Sequence, residues 1–445
     1  MMPKLDAAEL RLTLKTRLAE ARARTDALFD IVRPEAILER PIRERHRLIF
    51  YVGHLEAFDW NLLCRDSLGL RPFDPQFDKL FAFGIDPVDG GLPADQPSDW
   101  PSLDRIARYN REVRQNLDSC LERASFDDPA VPNLRAGWAV NMAIEHRLMH
   151  AETLAYMFHW LPFEKKAPQP PEPGIDAPPP ERRMIEIPRG TVTFGLDRTV
   201  DPVLGWDNEY ERHTVGVPAF AIDMHNVTNG DFLSFVRAGG YRERTLWDDA
   251  GWAWVSAEDI RHPRFWVRRN DRWWWRGMFG EVPLPLDWPV YVSQAEAGAF
   301  ARWTGKSLPT EAQLQRAAFG SPDGQERDFP WGNELPSPHR GNFDFTRWDP
   351  VPVGSHPEGD SAFGVADLAG NGWEWTCTPF RPFPGFAPLP FYPGYSANFF
   401  DGKHFVMKGG SMLTHRSLLR RTFRNWFQDR YPHIYAGFRC VQNEI

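Results

Sequence analysis

The stretch "EHRLMHAETLAYMFHW", residues 145–160, predicts a helix with polar residues placed among its apolar ones. His146 and His150 are four residues apart, so a helix presents both on one face. Two imidazoles at this spacing can hold one metal ion, as in other helical metal sites. The alternative is a pair of polar residues in a helical bundle, and the spacing alone does not decide between the two.

The N-terminal region predicts a four-helix bundle. Apolar residues recur at helical spacing in four long segments, which together indicate an up-down arrangement. These segments cover residues 7–32, 42–68, 103–124 and 134–161. The second segment contributes His54, and facing helices of a bundle commonly assemble metal sites in the interior. His54, His146 and His150 would supply three nitrogen ligands and leave positions open, and imidazole suits iron, zinc or copper alike.

The rest of the chain has a different character. Residues 164–183, "EKKAPQPPEPGIDAPPPERR", are proline-rich and predict a linker between residues 1–163 and 184–445. The C-terminal region is rich in Gly, Pro and Trp, with short strand patterns and few helical ones, which indicates an irregular α+β domain. Inside the bundle region, residues 69–101 form a long loop whose phenylalanines favour a functional role.

Composition excludes several classes of function. A chain of 445 residues with 42% hydrophobic and 25% charged residues is typical of a globular protein of two or three domains. The net charge of −8 gives no reason to expect a nucleic-acid partner. We expect no membrane span and no signal peptide, because the sequence lacks apolar runs of the required kind. Four cysteines without a CxxC pair indicate a reduced, cytoplasmic protein.

Several motifs in the second region occur together. They include "IPRGTVTFG", "LAGNGWEWT", "KGGS" and "TFRNWFQDRYPHIYAGFRC", and the set resembles the formylglycine-generating-enzyme fold, which is C-type-lectin-like. The helical region, with H-x3-H-x-E and an upstream histidine, resembles a DinB-type bundle. The two in this order are similar to the ergothioneine-type sulfoxide synthases, and the resemblance covers nearly the whole chain.

The resemblance implies a cofactor, substrates and site residues. In that family, three bundle histidines hold a non-haem Fe(II), and the enzyme joins sulfur to imidazole C2 of hercynine with dioxygen as co-substrate. The matching ligands here are His54, His146 and His150. Glu152 is expected to orient a ligand or to support the helix, and the alternative is a solvated or capping charge. The family also implies that the C-terminal domain lines the substrate pocket.

The resemblance also implies residues of the C-terminal domain. Asn425 and Trp426 match a pair that lines the trimethylammonium pocket, and Phe427 would complete it; the alternative is that these aromatics belong to the core. The family uses a tyrosine for proton delivery, for which Tyr392 and Tyr395 are the candidates. True formylglycine-generating enzymes bind copper through two cysteines after "GGS". Thr414 and Leu419 stand at those places, so cysteine oxidation is not expected.

The sequence differs from the sulfoxide synthases at the positions that bind the sulfur donor in that family. Those enzymes grip γ-glutamylcysteine with arginines in the bundle loop and with an acidic residue after the Asn-Trp pair. Here residues 84–105 contain no arginine before Arg105, and Phe427 stands at the acidic position. An anionic donor would instead meet Asp86, Asp89 and Asp95. A donor without carboxylates fits better, so we expect an activity like that of the selenoneine synthases, which couple hercynine to a selenosugar and yield a selenoxide.

Three alternatives stay open at this point. The first is an ergothioneine-type sulfoxide synthase that uses cysteine or γ-glutamylcysteine. The second is a non-catalytic metal-binding protein, and the third is a zinc-dependent DinB-type thiol transferase, which would not require dioxygen. The sequence does not indicate an oligomeric state.

Overall fold

Two compact units make up the chain. The computed structural model describes residues 6–82, 92–170, 178–199, 204–390 and 392–443. The units comprise Met1–Gln169 and Pro170–Ile445, so the division falls within the linker predicted at residues 164–183.

The first unit is the expected helical bundle. Its helices are α1 (Ala7–Phe29), α2 (Leu48–Asp59), α3 (Pro75–Leu80), α4 (Leu103–Arg123) and α5 (Trp138–His159). Short 3₁₀ turns occupy Pro34–Ala36, Pro97–Asp99, Pro132–Gly137 and Phe163–Lys165. The second predicted helix begins later than residue 42, and after Asp59 it continues as a π-helix, Trp60–Ser67. The long loop contains α3, a helix that was not predicted from the sequence.

Capping and periodicity explain the outer helices. Asp6 caps α1 by accepting hydrogen bonds from the backbone N–H groups of Ala8 and Glu9, each at 2.8 Å, and Glu9 completes a capping box. Helix α4 buries one stripe at spacings of three and four residues, which comprises Ile106, Tyr109, Val113, Leu117 and Leu121. Most of α5 is buried instead, so its histidines lie inside the bundle and away from solvent.

The second unit is a loop-rich α+β domain. Its strands are β1 (Met184–Ile187), β2 (Gly190–Phe194), β3 (His213–Val217), β4 (Phe220–Asp223), β5 (Trp266–Arg269), β6 (Arg272–Arg276), β7 (Glu281–Pro283), β8 (Trp373–Pro379), β9 (His404–Lys408), β10 (Asn425–Gln428), β11 (Ala436–Gly437) and β12 (Val441–Gln442). Its helices are α6 (Asn229–Arg237), α7 (Asp249–Ala257), α8 (Gln294–Trp303) and α9 (Glu311–Phe319).

Four small sheets order these strands as β1-β4-β12, β10-β9-β8-β11, β2-β3 and β5-β6-β7. The sheet that matters for the site is the second, in which β10 pairs antiparallel with β9 so that Trp426 lies opposite Val406. A buried ion pair supports this sheet, because Arg439 donates to both carboxylate oxygens of Glu374 on β8 at 2.7 Å. Strands β7, β8 and β10 to β12, and helix α7, were not predicted from the sequence.

Candidate metal centre and aromatic cluster

The bundle brings three histidines together. His54 on α2 and His146 and His150 on α5 each offer one ring nitrogen, and these three atoms lie within 4.8 Å of one another. The side chains are 3%, 4% and 2% exposed. The i,i+4 pair on α5 therefore meets the third imidazole from a different helix, as a shared metal ion requires.

Phenylalanine rings hold the imidazoles in place. Phe50 stacks on His54 with ring centroids 4.7 Å apart, and Phe58 stacks on His146 at 3.5 Å with 12° between the planes. Phe50, His54 and Phe58 are spaced by four residues, so they share one face of α2. Phe50 and Phe58 were not predicted as site residues, although this spacing is visible in the sequence. Their rings limit rotation of the imidazoles and surround them with apolar surface.

The carbonyl of Phe81 orients His54. Nδ1 of His54 lies 2.6 Å from this oxygen, so the protonated Nδ1 donates a hydrogen bond and leaves Nε2 for a metal. Phe81 directly follows α3 in the long loop and is fully buried. The functional role expected for this loop therefore has a physical basis, although it depends on a backbone atom that residue type does not reveal.

The three imidazoles are suited to bind a metal in their neutral form. Burial lowers the pKa of His54 to about 4, against an opposing contribution from the Phe81 carbonyl. Burial and the neighbouring imidazoles also hold the pKa of His146 well below its usual value, and burial does the same for His150. Nδ1 of His146 and of His150 is buried without a hydrogen-bond partner among the described residues. A buried donor set of three neutral nitrogens fits iron, zinc or copper.

Glu152 does not share the face of the histidines. The helix turns by about 200° over the two residues from His150, so Glu152 projects from the other side of α5, where it is half-buried. This placement favours the interpretation of Glu152 as a charge on another helix face. The acceptor that orients an imidazole comes from Phe81 instead.

Two arginines from outside the bundle loop pair with an aspartate within it. Arg40 and Arg47, which precede α2, both donate to the Asp95 carboxylate, Arg47 through Nε at 3.0 Å. Trp100 also donates to Asp95, at 2.9 Å. The expectation that an anionic donor would meet Asp95 without counter-charges is therefore wrong, because two guanidinium groups from an earlier segment pair with Asp95. Asp86 and Asp89 lie outside the described residues.

In the second unit, Trp426 belongs to an aromatic cluster. Phe380 stacks on its indole with centroids 4.3 Å apart and planes 5° from parallel. Tyr395 meets Trp426 edge-on at 5.4 Å, and Phe399 is tilted against it at 5.6 Å. Trp426 is half-buried, so part of the indole stays accessible among these rings. Such a set of rings can bind an organic cation through the π faces.

The structure separates Phe427 from this cluster. Successive side chains of β10 point to opposite faces, and Phe427 stacks on Tyr431 at 5.3 Å. Asn425 lies on the same face as Phe427, and its Oδ1 accepts a hydrogen bond from the backbone N–H of Trp426 at 2.9 Å. The strand thus does not bring Phe427 beside Trp426 as a cage would require, and the matching rings come from the loop after β8.

The two tyrosine candidates differ in their surroundings. The rings of Tyr392 and Tyr395 lie 5.6 Å apart, but of the two it is Tyr395 that contacts Trp426 directly. Tyr395 also stacks on Trp206 at 4.1 Å, and the next residue, Ser396, donates a hydrogen bond to the buried Asp207 carboxyl. Burial raises the pKa of Asp207 to about 6. Trp206 and Asp207 were not predicted as site residues, since both contacts span more than 180 residues.

The places that hold copper-binding cysteines in formylglycine-generating enzymes carry other chemistry. Thr414 is buried and its hydroxyl accepts a hydrogen bond from the Ser411 backbone at 2.8 Å, and Leu419 is a buried apolar residue. Neither supplies a thiolate.

In the described part of the chain, no helix is long and apolar enough to cross a membrane.

Comparisons with known proteins agree with both units. Residues 171–444 match the sulfatase-modifying factor enzyme 1-like domain, and residues 17–154 match the DinB superfamily. The chain is 32% identical to proteins named hercynine oxygenase from Mycolicibacterium thermoresistibile and Mycolicibacterium smegmatis, over 97% of its length and 95% and 99% of theirs. It is 28% identical to ergothioneine biosynthesis protein 1 of Neurospora crassa over 92% of the chain, which spans 55% of that protein. With a DinB bundle that assembles three histidines and a sulfatase-modifying-factor domain that follows it in the sequence, the chain belongs to the ergothioneine-type sulfoxide synthase family.

Proposed function

We propose that this protein is a non-haem iron, dioxygen-dependent enzyme that forms a carbon–selenium bond at imidazole C2 of hercynine. The observation that carries the enzyme assignment is the convergence of three buried, neutral imidazoles within 4.8 Å. Relatives named hercynine oxygenase align over nearly the whole chain and support hercynine as the acceptor. The choice of selenium over sulfur rests on the residues expected to bind the donor substrate.

His54, His146 and His150 would hold Fe(II), which supplies redox chemistry with dioxygen and a positive charge for an anionic donor. Neighbouring groups of the bundle hold these three imidazoles in place. The Phe81 carbonyl sets the tautomer of His54, while Phe50 and Phe58 keep two rings in position and exclude water from them.

Hercynine carries a permanent trimethylammonium cation, and the Trp426 cluster is suited to it. An indole face contributes up to about 2 kcal/mol to binding such a cation when the site is dry. Asn425 adds a polar group next to Trp426, on the other face of the strand. Tyr395 is the favoured proton donor of the two candidates, because it contacts the indole that would hold the substrate; Tyr392 would act through it.

The donor is proposed to be a selenosugar with a selenol group. Arg40 and Arg47 already donate to Asp95 of the bundle loop, and the guanidinium of Arg105 lies over the Phe77 ring at 5.2 Å, so these three arginines have partners without a donor carboxylate. In the reaction, the C2–H and Se–H bonds break and a C2–Se bond forms. One oxygen atom of dioxygen enters the selenoxide, and the other leaves as water with the two hydrogens.

Sulfoxide synthesis from cysteine or γ-glutamylcysteine is the second candidate, and the relatives named for ergothioneine biosynthesis favour it. If Asp95 released Arg40 and Arg47, they could bind the carboxylates of such a donor bidentately. A non-catalytic metal-binding protein is the candidate of another class.

Mass spectrometry separates these candidates. Fe(II)-loaded protein is incubated in air with hercynine and, in separate reactions, with a selenosugar, cysteine and γ-glutamylcysteine. We expect a selenoxide with the selenosugar; product with the thiols alone would contradict the selenium assignment and support the second candidate. An anaerobic reaction at the same rate would contradict dioxygen dependence and favour a zinc transferase.

Variants test the metal centre in the same assay. His54→Ala should abolish iron binding and turnover, whereas the matched His262→Ala, in the second unit, should preserve both. Iron binding without product from any donor would leave the non-catalytic alternative.

A further inference from the structure

A buried ion network links the bundle helices close to the histidine set. Arg147 on α5 donates to both carboxylate oxygens of Glu56 on α2, at 3.1 and 3.0 Å, and to Asp59 at 2.6 Å. Arg114 on α4 donates to Glu56 at 2.9 and 2.6 Å, and it also pairs with Asp26 on α1 at 2.7 and 2.8 Å. Arg147 and Glu56 are each 1% exposed, so this is a charged junction within the core of the bundle.

The central pair of the network connects the same helices that carry the histidines. Glu56 follows His54 by two residues on α2, and Arg147 directly follows His146 and precedes His150 by three residues on α5. Apolar packing between helices has little directional preference. A bidentate arginine–carboxylate pair, in contrast, fixes both distance and orientation. The Glu56–Arg147 pair therefore restricts sliding and rotation of α2 against α5.

We propose that Glu56 and Arg147 are positioning residues of the metal centre, which hold the three imidazoles in ligand geometry before the metal binds. This inference rests on the metal site of the proposed function. Metal–imidazole bonds are about 2.0–2.1 Å long for zinc, so a small shift between helices separates the nitrogens from a common ion. A site that is already arranged does not spend binding free energy on moving the helices.

The test compares Glu56→Gln with a matched ion-pair variant, Asp118→Asn. Asp118 on α4 pairs with Arg22 on α1 at 2.8 Å, so its loss removes an ion pair of the bundle in which neither residue lies on α2 or α5. Co(II) serves as the spectroscopic probe for the divalent ion, and its affinity and visible absorption spectrum are measured beside the thermal midpoint of the metal-free protein. We expect Glu56→Gln to weaken Co(II) binding at least tenfold and to change the spectrum. Asp118→Asn should stay within twofold, with an unchanged spectrum.

A second variant keeps the test informative if the Glu56→Gln protein does not fold. Arg147→Lys keeps the charge but loses the bidentate geometry, and it should weaken Co(II) binding in the same direction. A folded Glu56→Gln protein with wild-type affinity and spectrum would overturn the proposal, as would failure of both variants to fold, which would assign the network to stability alone. Wild-type Co(II) binding without turnover of hercynine would contradict the proposed function and not the positioning role.

Discussion

Gly53→Ala tests the link between the long loop and the metal centre. Gly53 lies on α2 directly before His54, and a Cβ at this position would be 2.5 Å from Cε2 and Cζ of Phe81. In an exposed helix, replacing Gly by Ala stabilises by about 1 kcal/mol. Here the same change drives a methyl group into a fully buried ring whose own carbonyl orients His54.

The expected size of the effect follows from the contact distances. Carbon atoms pack at about 3.5–4.0 Å, so the Phe81 ring has to move by roughly 1 Å. Overpacking of this kind costs about 1–3 kcal/mol, which offsets the helix gain and leaves a net loss of stability of about 0–2 kcal/mol. We expect the Phe81 backbone to move with its ring, and a displacement of about 1 Å would lengthen the 2.6 Å hydrogen bond from His54 Nδ1 to the Phe81 carbonyl beyond the normal range. Loss of such a partner lowers metal affinity by about 10- to 100-fold.

The assay is a Co(II) titration of metal-free protein, combined with thermal unfolding. Gly298→Ala on α8 is the matched control, since its Cβ would have Arg302 Nη2 as nearest neighbour at an ordinary 3.5 Å. The control should gain up to about 1 kcal/mol of stability and keep the wild-type affinity. Wild-type Co(II) affinity in Gly53→Ala would refute the reasoning, because it would show that the Phe81 carbonyl is dispensable for the site.

Two further predictions concern the second unit. Trp426→Leu should raise KM for hercynine about tenfold, which corresponds to about 1.4 kcal/mol of lost cation–π binding. Trp331→Leu, which removes another indole stacked on a phenylalanine, should leave KM unchanged, and an equal rise in both variants would count against the Trp426 cluster as the cation site. The second prediction concerns pH: the pKa of Asp207 is about 6 in the folded state, above its unfolded value, so its contribution to stability is full below about pH 4 and is lost as the pH rises through 6. Asp207→Asn should remove this decline, at most about 3 kcal/mol, from the free energy of unfolding measured between pH 4 and 7, and an identical pH profile would contradict the raised pKa.

Sequence alone determined the features that depend on local spacing. The i,i+4 pair of His146 and His150 follows from the pitch of one helix, and the bundle follows from four amphipathic segments, so both could be predicted without coordinates. The linker at residues 164–183 could be predicted in the same way, because a run of prolines excludes both a helix and a central strand. The position of His54 on the second predicted helix made it the third candidate ligand, and the family resemblance added the Asn425–Trp426 pair through a short contiguous motif.

Only the tertiary structure decided which distant groups complete each site. The acceptor for His54 is a backbone oxygen 27 residues away, and the charge of Asp95 is compensated by arginines that precede α2. Phe427 was placed with Trp426 because they are neighbours in sequence, yet a strand sends successive side chains to opposite faces. Periodicity reports on one helix or strand at a time. Backbone acceptors, buried ion pairs and stacked rings depend instead on how separate segments pack, and the residue types of one segment do not specify the partner it meets.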